Sequence, residues 1–157
     1  MEPDDFRKNL RLDMSAANRA LANSEWKAAT VLAGSVVEAL LLWAIQRRSS
    51  DEVGQAVERL RQRDEPHTGK KIVGRKPDHD LTKWDLHEYV EVAAELRVIT
   101  VETAAQIRLA KDFRNLIHPG RALRLARTCD RGTALSAVAA IEHVLRDLTH
   151  NGGGVSS

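Results

Sequence analysis

An arginine and a histidine lie close together in the segment Arg-Asn-Leu-Ile-His-Pro-Gly, residues 114–120. On a helix, Arg114 and His118 lie one turn apart and about 40° apart around the axis, so both project from one side. Leu109, on the opposite side, is predicted to face the core. A guanidinium binds phosphate through two parallel hydrogen bonds, and an imidazole transfers protons near neutral pH. Because RNA supplies its own nucleophile, the 2′-hydroxyl, such a pair can cleave RNA without a metal.

Positive charge is concentrated around this segment. Between Arg108 and Arg131 there are seven Lys or Arg and two Asp, a local charge of +5, whereas the whole chain carries only +2. The net charge of the whole chain is too low to indicate nucleic-acid binding. The local charge of residues 108–131 is high enough to indicate it. We predict that Lys111, Arg121 and Arg124 bind the substrate by attracting an RNA backbone.

The same residues have an ordinary structural explanation. Cationic side chains are favoured in the last turn of a helix, where they oppose the negative end of the helix dipole. Pro119 and Gly120 are likewise a common way to end a helix. Judged on spacing alone, this explanation is the stronger of the two.

The remaining chemistry-bearing residues exclude several classes of protein. Cys129 is the only cysteine, so no disulfide can form within the chain. The six histidines do not combine with it at a metal-ligand spacing, so we predict neither a metal site nor a cofactor. The opening residues lack a signal sequence, which makes the cytoplasm the expected location.

One apolar segment, Ala28 to Ile45, is almost long enough to cross a membrane. Glu38 lies in its middle, and a carboxylate there costs about 2.5–3.5 kcal/mol on insertion scales. We therefore predict a core helix and no membrane partner. Thr30, Gly34 and Glu38 form a stripe of small residues ending in a carboxylate on this helix. A buried carboxylate needs a partner, so Glu38 is predicted to pair with Arg114 and support it structurally.

Apolar residues at helical spacing predict an all-α fold, a bundle of about five helices in a single domain, residues 1–150, followed by a flexible tail, 151–157. Ser24, Ser50 or Asp51, Thr100 and Asp130 are the predicted N-caps. Residues 64–80 are polar and basic and are predicted to form a loop, with a short extended turn near 72–73. The helical segments are predicted near 3–22, 25–48, 51–63, 83–96, 101–117 and 131–150.

The stretch R-N-L-I-H-P-G resembles the signature of HEPN domains, which are helical bundles whose catalytic members are metal-independent RNases. Residues 33–41 look like the glutamate-bearing helix of bacterial proteins with HEPN-like folds. The resemblance implies that Arg114 and His118 occupy catalytic or nucleotide-binding positions, with Asn115 as their polar companion. It also implies a homodimer in which two sites face one cleft. Many members belong to toxin–antitoxin or other defence systems, which implies an antitoxin or another protein as partner.

Three functions stay open at this point. The chain can be a HEPN-like nucleotide- or RNA-binding module, a dimeric metal-independent endoribonuclease that uses Arg114 and His118, or a protein–protein interaction domain. Only Asn115, Leu116 and Ile117 separate the arginine from the histidine, fewer residues than catalytic HEPN proteins usually have. This spacing favours the binding module.

Overall fold

The computed structural model describes residues 3–65, 68–74, 76–114, 120 and 128–152, with backbone alone at 3, 113 and 114. Over these ranges the chain is an all-α bundle without strands, as predicted. A 3₁₀ turn, Leu81–Lys83, precedes the fourth helix. The helices are α1 (Pro3–Ala22), α2 (Trp26–Gln46), α3 (Ser50–Gln62), α4 (Leu86–Glu95), α5 (Val101–Arg114) and α6 (Arg131–Gly152).

Helix α2 is the centre of the bundle and packs against α1, α4, α5 and α6. Val36, Leu41 and Ile45 are fully buried, as the apolar character of this helix requires. By length and composition α2 is able to cross a membrane, and half of its most apolar window is buried inside the bundle. The core therefore forms around this one helix.

Side-chain caps define where most of the helices begin. Thr100 and Asp130 accept backbone N–H groups at the starts of α5 and α6, as predicted. Helix α3 is capped by Ser49, one residue before the predicted cap, and Glu52 bonds back to the Ser49 backbone. Asp85 forms the same reciprocal pattern at the start of α4, so that helix begins three residues later than predicted.

The predicted cap at Ser24 is wrong. Ser24 has a φ of 61° and ends α1: its N–H bonds to the Leu21 carbonyl while the Glu25 N–H bonds to the Ala20 carbonyl. These two bonds make a Schellman motif, in which the left-handed position is usually glycine. The turn between α1 and α2 is so tight that the residue which ends the first helix cannot also cap the second.

The start of α5 is joined to the later part of α6. Asp147 is 5% exposed and accepts hydrogen bonds from the Thr100 backbone N–H (2.9 Å) and hydroxyl (3.2 Å). Gln106, further along α5, donates to the carbonyl of Ser136, an earlier residue of α6. The two contacts together show that α5 and α6 run antiparallel. The end of α5 and the beginning of α6 therefore lie at the same end of the bundle.

The described part of the predicted 64–80 loop is held against α4. Asp64 and Lys71 form an isolated antiparallel bridge and a 2.7 Å ion pair, next to the predicted extended turn. The Ile72 carbonyl lies 2.6 Å from His87 Nε2, and Val73 is buried. Contacts with α4 and the 3₁₀ turn thus replace regular secondary structure in this segment.

Candidate functional site

Helix α5 carries the start of the predicted site, but its buried face differs from the predicted one. Leu109, predicted to face the core, is 45% exposed. Thr103, Ala104 and Ile107 are the buried residues instead. The reason is that α5 packs against α2, α4 and α6 together, so three neighbours select its inner face.

Lys111 lies at the contact between α5 and α2. It is half-buried and borders a crevice of about 10 Å³ together with Ala110 of α5 and Thr30 and Gly34 of α2. A space of this size holds at most about one water molecule, so the small residues of α2 do allow close approach. Position 114 follows Lys111 by three residues, so the backbone register places it on the same side of α5.

The chain returns to the same place on α2 after the basic segment. Cys129 Sγ lies 3.3 Å from Thr30 Oγ1 and 3.2 Å from Thr133 Oγ1. The Thr30 hydroxyl also donates to the Trp26 carbonyl at 2.8 Å. Lys111 and Cys129, which flank the stretch 112–128, therefore both lie near one buried residue of α2, Thr30.

Most of the predicted site residues lie outside the described ranges. This holds for Asn115, His118, Arg121 and Arg124, and for the Arg114 side chain, so the predicted pairing of Arg114 with Glu38 also lies outside them.

Gly120 is described, exposed and helical.

Glu38 is half-buried on α2, two helical turns beyond Thr30. Its surroundings include Tyr89 of α4, because the Tyr89 pKa is raised first by burial and then by the negative charge of Glu38. The Glu38 carboxylate therefore lies near enough to Tyr89 of α4 for its charge to affect the Tyr89 pKa.

A second charged region, which the sequence analysis missed, lies between α3, α4 and α5. Arg59 of α3 and Arg63, the residue directly after that helix, both pair with Glu95 of α4, at 2.6 and 3.0 Å. Arg108 of α5 pairs with Glu91 of α4 through two bonds of 2.7 and 2.9 Å. These five residues and Arg97 line an open groove, here called the arginine groove.

The ion pairs shift the pKa values of Glu95 and Arg108. Burial raises the Glu95 pKa, but the hydrogen bonds and charges of Arg59 and Arg63 outweigh burial and hold that pKa below its ordinary value. The Arg108 pKa is raised, mainly by its hydrogen bonds to Glu91. Glu95 and Arg108 are therefore both charged at neutral pH.

A sequence signal for the arginine groove does exist. Arg59 and Arg63 are four residues apart in the predicted helix 51–63, and Glu91 and Glu95 are four residues apart in the predicted helix 83–96. This spacing predicts that each pair shares a helix face. Two matching faces of opposite charge indicate that the helices are neighbours, although the pattern says nothing about Arg108.

The described ranges contain no group of three His, Cys, Asp or Glu side chains arranged to hold a metal ion. No protein-family model, curated protein or solved structure matches this chain significantly.

Proposed function

We propose that this chain is a HEPN-like module that binds RNA or nucleotides through its basic segment, residues 108–131. One observation carries the proposal: Lys111 and Cys129, the residues that flank the stretch 112–128, both lie near Thr30 of α2. This stretch contains four arginines and a single acidic residue. Because Lys111 and Cys129 lie where α5 ends and α6 begins, we expect the cations between them to lie at that end of the bundle.

Concentrated charge of this kind favours phosphate over other ligands. Arginine donates paired hydrogen bonds that match phosphate oxygens, and it stays charged at any physiological pH. Lys111 adds a cation at the edge of the same region. The homodimer and a role in defence or with an antitoxin belong to the proposal through the resemblance to HEPN domains alone.

Salt-dependent RNA binding tests this proposal. A labelled single-stranded RNA is titrated with the wild type and with the double variant Arg121→Ala/Arg124→Ala, and affinity is followed by fluorescence anisotropy. Each lost phosphate contact is expected to lower the slope of log affinity against log salt by about 0.7 for a single strand. The double variant should therefore bind more weakly at low salt, with a slope smaller by about 1.4.

The matched control is Arg7→Ala/Lys8→Ala, which removes the same charge from exposed positions on α1. The proposal requires this control to bind RNA nearly as the wild type does. Equal losses in the two double variants would show that only net charge matters. A wild type that does not bind RNA or nucleotide at low salt would leave the protein–protein role.

The same samples separate binding from catalysis. Incubation of the RNA with wild type in EDTA is expected to leave it intact if the chain is a binding module. Cleavage that yields 2′,3′-cyclic phosphate ends and disappears in His118→Ala would identify the endoribonuclease instead. Arg114→Ala should weaken RNA binding in either case.

A further inference from the structure

We propose that the arginine groove is a binding site for a phosphate-bearing ligand, with Arg97 as a direct contact. The groove encloses about 680 Å³ between α3, α4 and α5. This volume falls within the range of about 300–1,000 Å³ that is usual for small-molecule sites. Four arginines and two glutamates line it, so the charge of its walls is +2.

The two glutamates serve to position arginines. Their side chains are only 8% and 13% exposed, whereas the paired side chains of Arg59, Arg63 and Arg108 are 42–53% exposed. Each carboxylate therefore lies behind its guanidinium groups and holds them in place at the groove surface. Glu65 also interacts with Arg108, and if it is counted the region still carries a charge of +1.

Hydrogen-bond donors remain available in this arrangement. A guanidinium has five N–H donors and no acceptor. Arg59 and Arg63 each bond to Glu95 through one nitrogen, and Arg108 bonds to Glu91 through two. The remaining N–H groups suit an anion with several oxygens, and phosphate is the group that matches them best.

Arg97 is the most informative residue of the groove. Its φ is 56°, and it occupies the left-handed position of a Schellman motif at the end of α4, with bonds from Arg97 N–H to Ala94 and from Val98 N–H to Ala93. Glycine is favoured there, because a side chain crowds the backbone in the left-handed conformation. Arg97 is exposed and forms no ion pair with any described residue. The chain thus retains an arginine at the groove, without an ion-pair partner among the described residues, where local stability favours glycine.

This site is separate from the one under the proposed function. On α5, Arg108 faces the arginine groove, whereas Lys111 faces the crevice with α2. The phosphate can belong to a free nucleotide or to an RNA backbone, and the two sources share the same recognition chemistry.

The test compares Arg97→Gly with Ser24→Gly. Both variants place glycine at the left-handed position of a Schellman motif, but Ser24 lies between α1 and α2. Binding of a fluorescent ATP analogue is measured by titration, with inorganic phosphate as competitor, and stability is measured by urea unfolding. Both variants should unfold at higher urea than the wild type, and Arg97→Gly alone should raise Kd for the nucleotide by about tenfold.

Opposite changes in stability and affinity are the signature of a ligand contact, since a purely structural arginine would not produce them. Equal nucleotide affinity in wild type and Arg97→Gly would overturn the proposal, as would a wild type that binds neither probe saturably. Displacement of the nucleotide by single-stranded RNA would identify an RNA backbone as the phosphate source. If RNA does not displace the nucleotide, the phosphate source is a free nucleotide. Because Arg121→Ala/Arg124→Ala changes none of the described residues that line the groove, this site and the basic segment can be tested independently.

Discussion

Replacing Asp147 by asparagine tests how the start of α5 is held. The Asp147 carboxylate is buried and accepts two hydrogen bonds from Thr100, the residue that caps α5. Asparagine has nearly the same shape, so Asp147→Asn removes the charge while leaving one acceptor oxygen in place. The variant therefore isolates the contribution of the charge to this junction.

The expected cost follows from the two bonds. A hydrogen bond to a charged group contributes about 1.5–3 kcal/mol and a neutral one about 0.5–1.5 kcal/mol, so each bond loses about 1 kcal/mol. Two bonds give a decrease of about 2 kcal/mol in the free energy of unfolding near pH 7. The lower desolvation cost of the neutral amide makes this value an upper bound.

The decrease must depend on pH. Burial raises the Asp147 pKa, but the hydrogen bonds from Thr100 and Thr103 and the charge of Arg146 outweigh burial and hold the pKa below its ordinary value of 3.8. A carboxylate whose pKa is lowered on folding stabilises the fold above its unfolded pKa. That stabilisation disappears as pH falls through the lowered, folded value. The wild type and Asp147→Asn should therefore approach equal stability in acid.

Urea unfolding followed by circular dichroism, repeated from neutral pH down to about pH 3, measures this convergence. The other carboxylates with lowered pKa, such as Glu95, are common to both proteins and cancel in the difference. A stability difference that stays constant over the whole pH range would refute the assignment of the effect to the Asp147 charge.

Two further substitutions are expected to change the free energy of unfolding by amounts that follow from the structure. Gly54 lies in the interior of α3, and a Cβ placed there would meet nothing within 4 Å. Gly54→Ala should raise the free energy of unfolding by about 0.5–1 kcal/mol in urea titrations, and a decrease would contradict the open space at this position. Arg108→Ala should lower it by about 1–3 kcal/mol, less than for a fully buried pair because Arg108 is 42% exposed. Adding Glu91→Ala should recover part of that loss in a double-mutant cycle, and strictly additive effects would show that the two residues do not interact.

Local signals predicted the helices well because they act over one turn. Thr100 and Asp130 cap their helices because each offers a side-chain oxygen to the first turn. The cap at Ser49 was also readable, since Ser49 and Glu52 have the spacing of a capping box. Predictions of helix caps need only the residues that are neighbours in sequence.

Features that depend on distant neighbours were not predictable in the same way. The inner face of α5 is chosen jointly by α2, α4 and α6, which is why Leu109 was assigned to the wrong side. The left-handed backbone at Ser24 and Arg97 has no signal in residue type, because glycine is the residue that marks such positions. Of the predicted site, Lys111 lies against α2, while Arg114 and His118 stay predictions.

The central position of α2 has a consequence for synthesis of the protein. Its partner α6 begins 85 residues after α2 ends at Gln46. At about 5–20 residues per second, a ribosome takes roughly 4–17 seconds to add that length. During this interval the most apolar helix of the described chain lacks one of its main covering surfaces. A nascent chain stalled before residue 131 would therefore expose an apolar face of α2 to chaperones and to other nascent chains. A premature stop codon there would yield a fragment that aggregates.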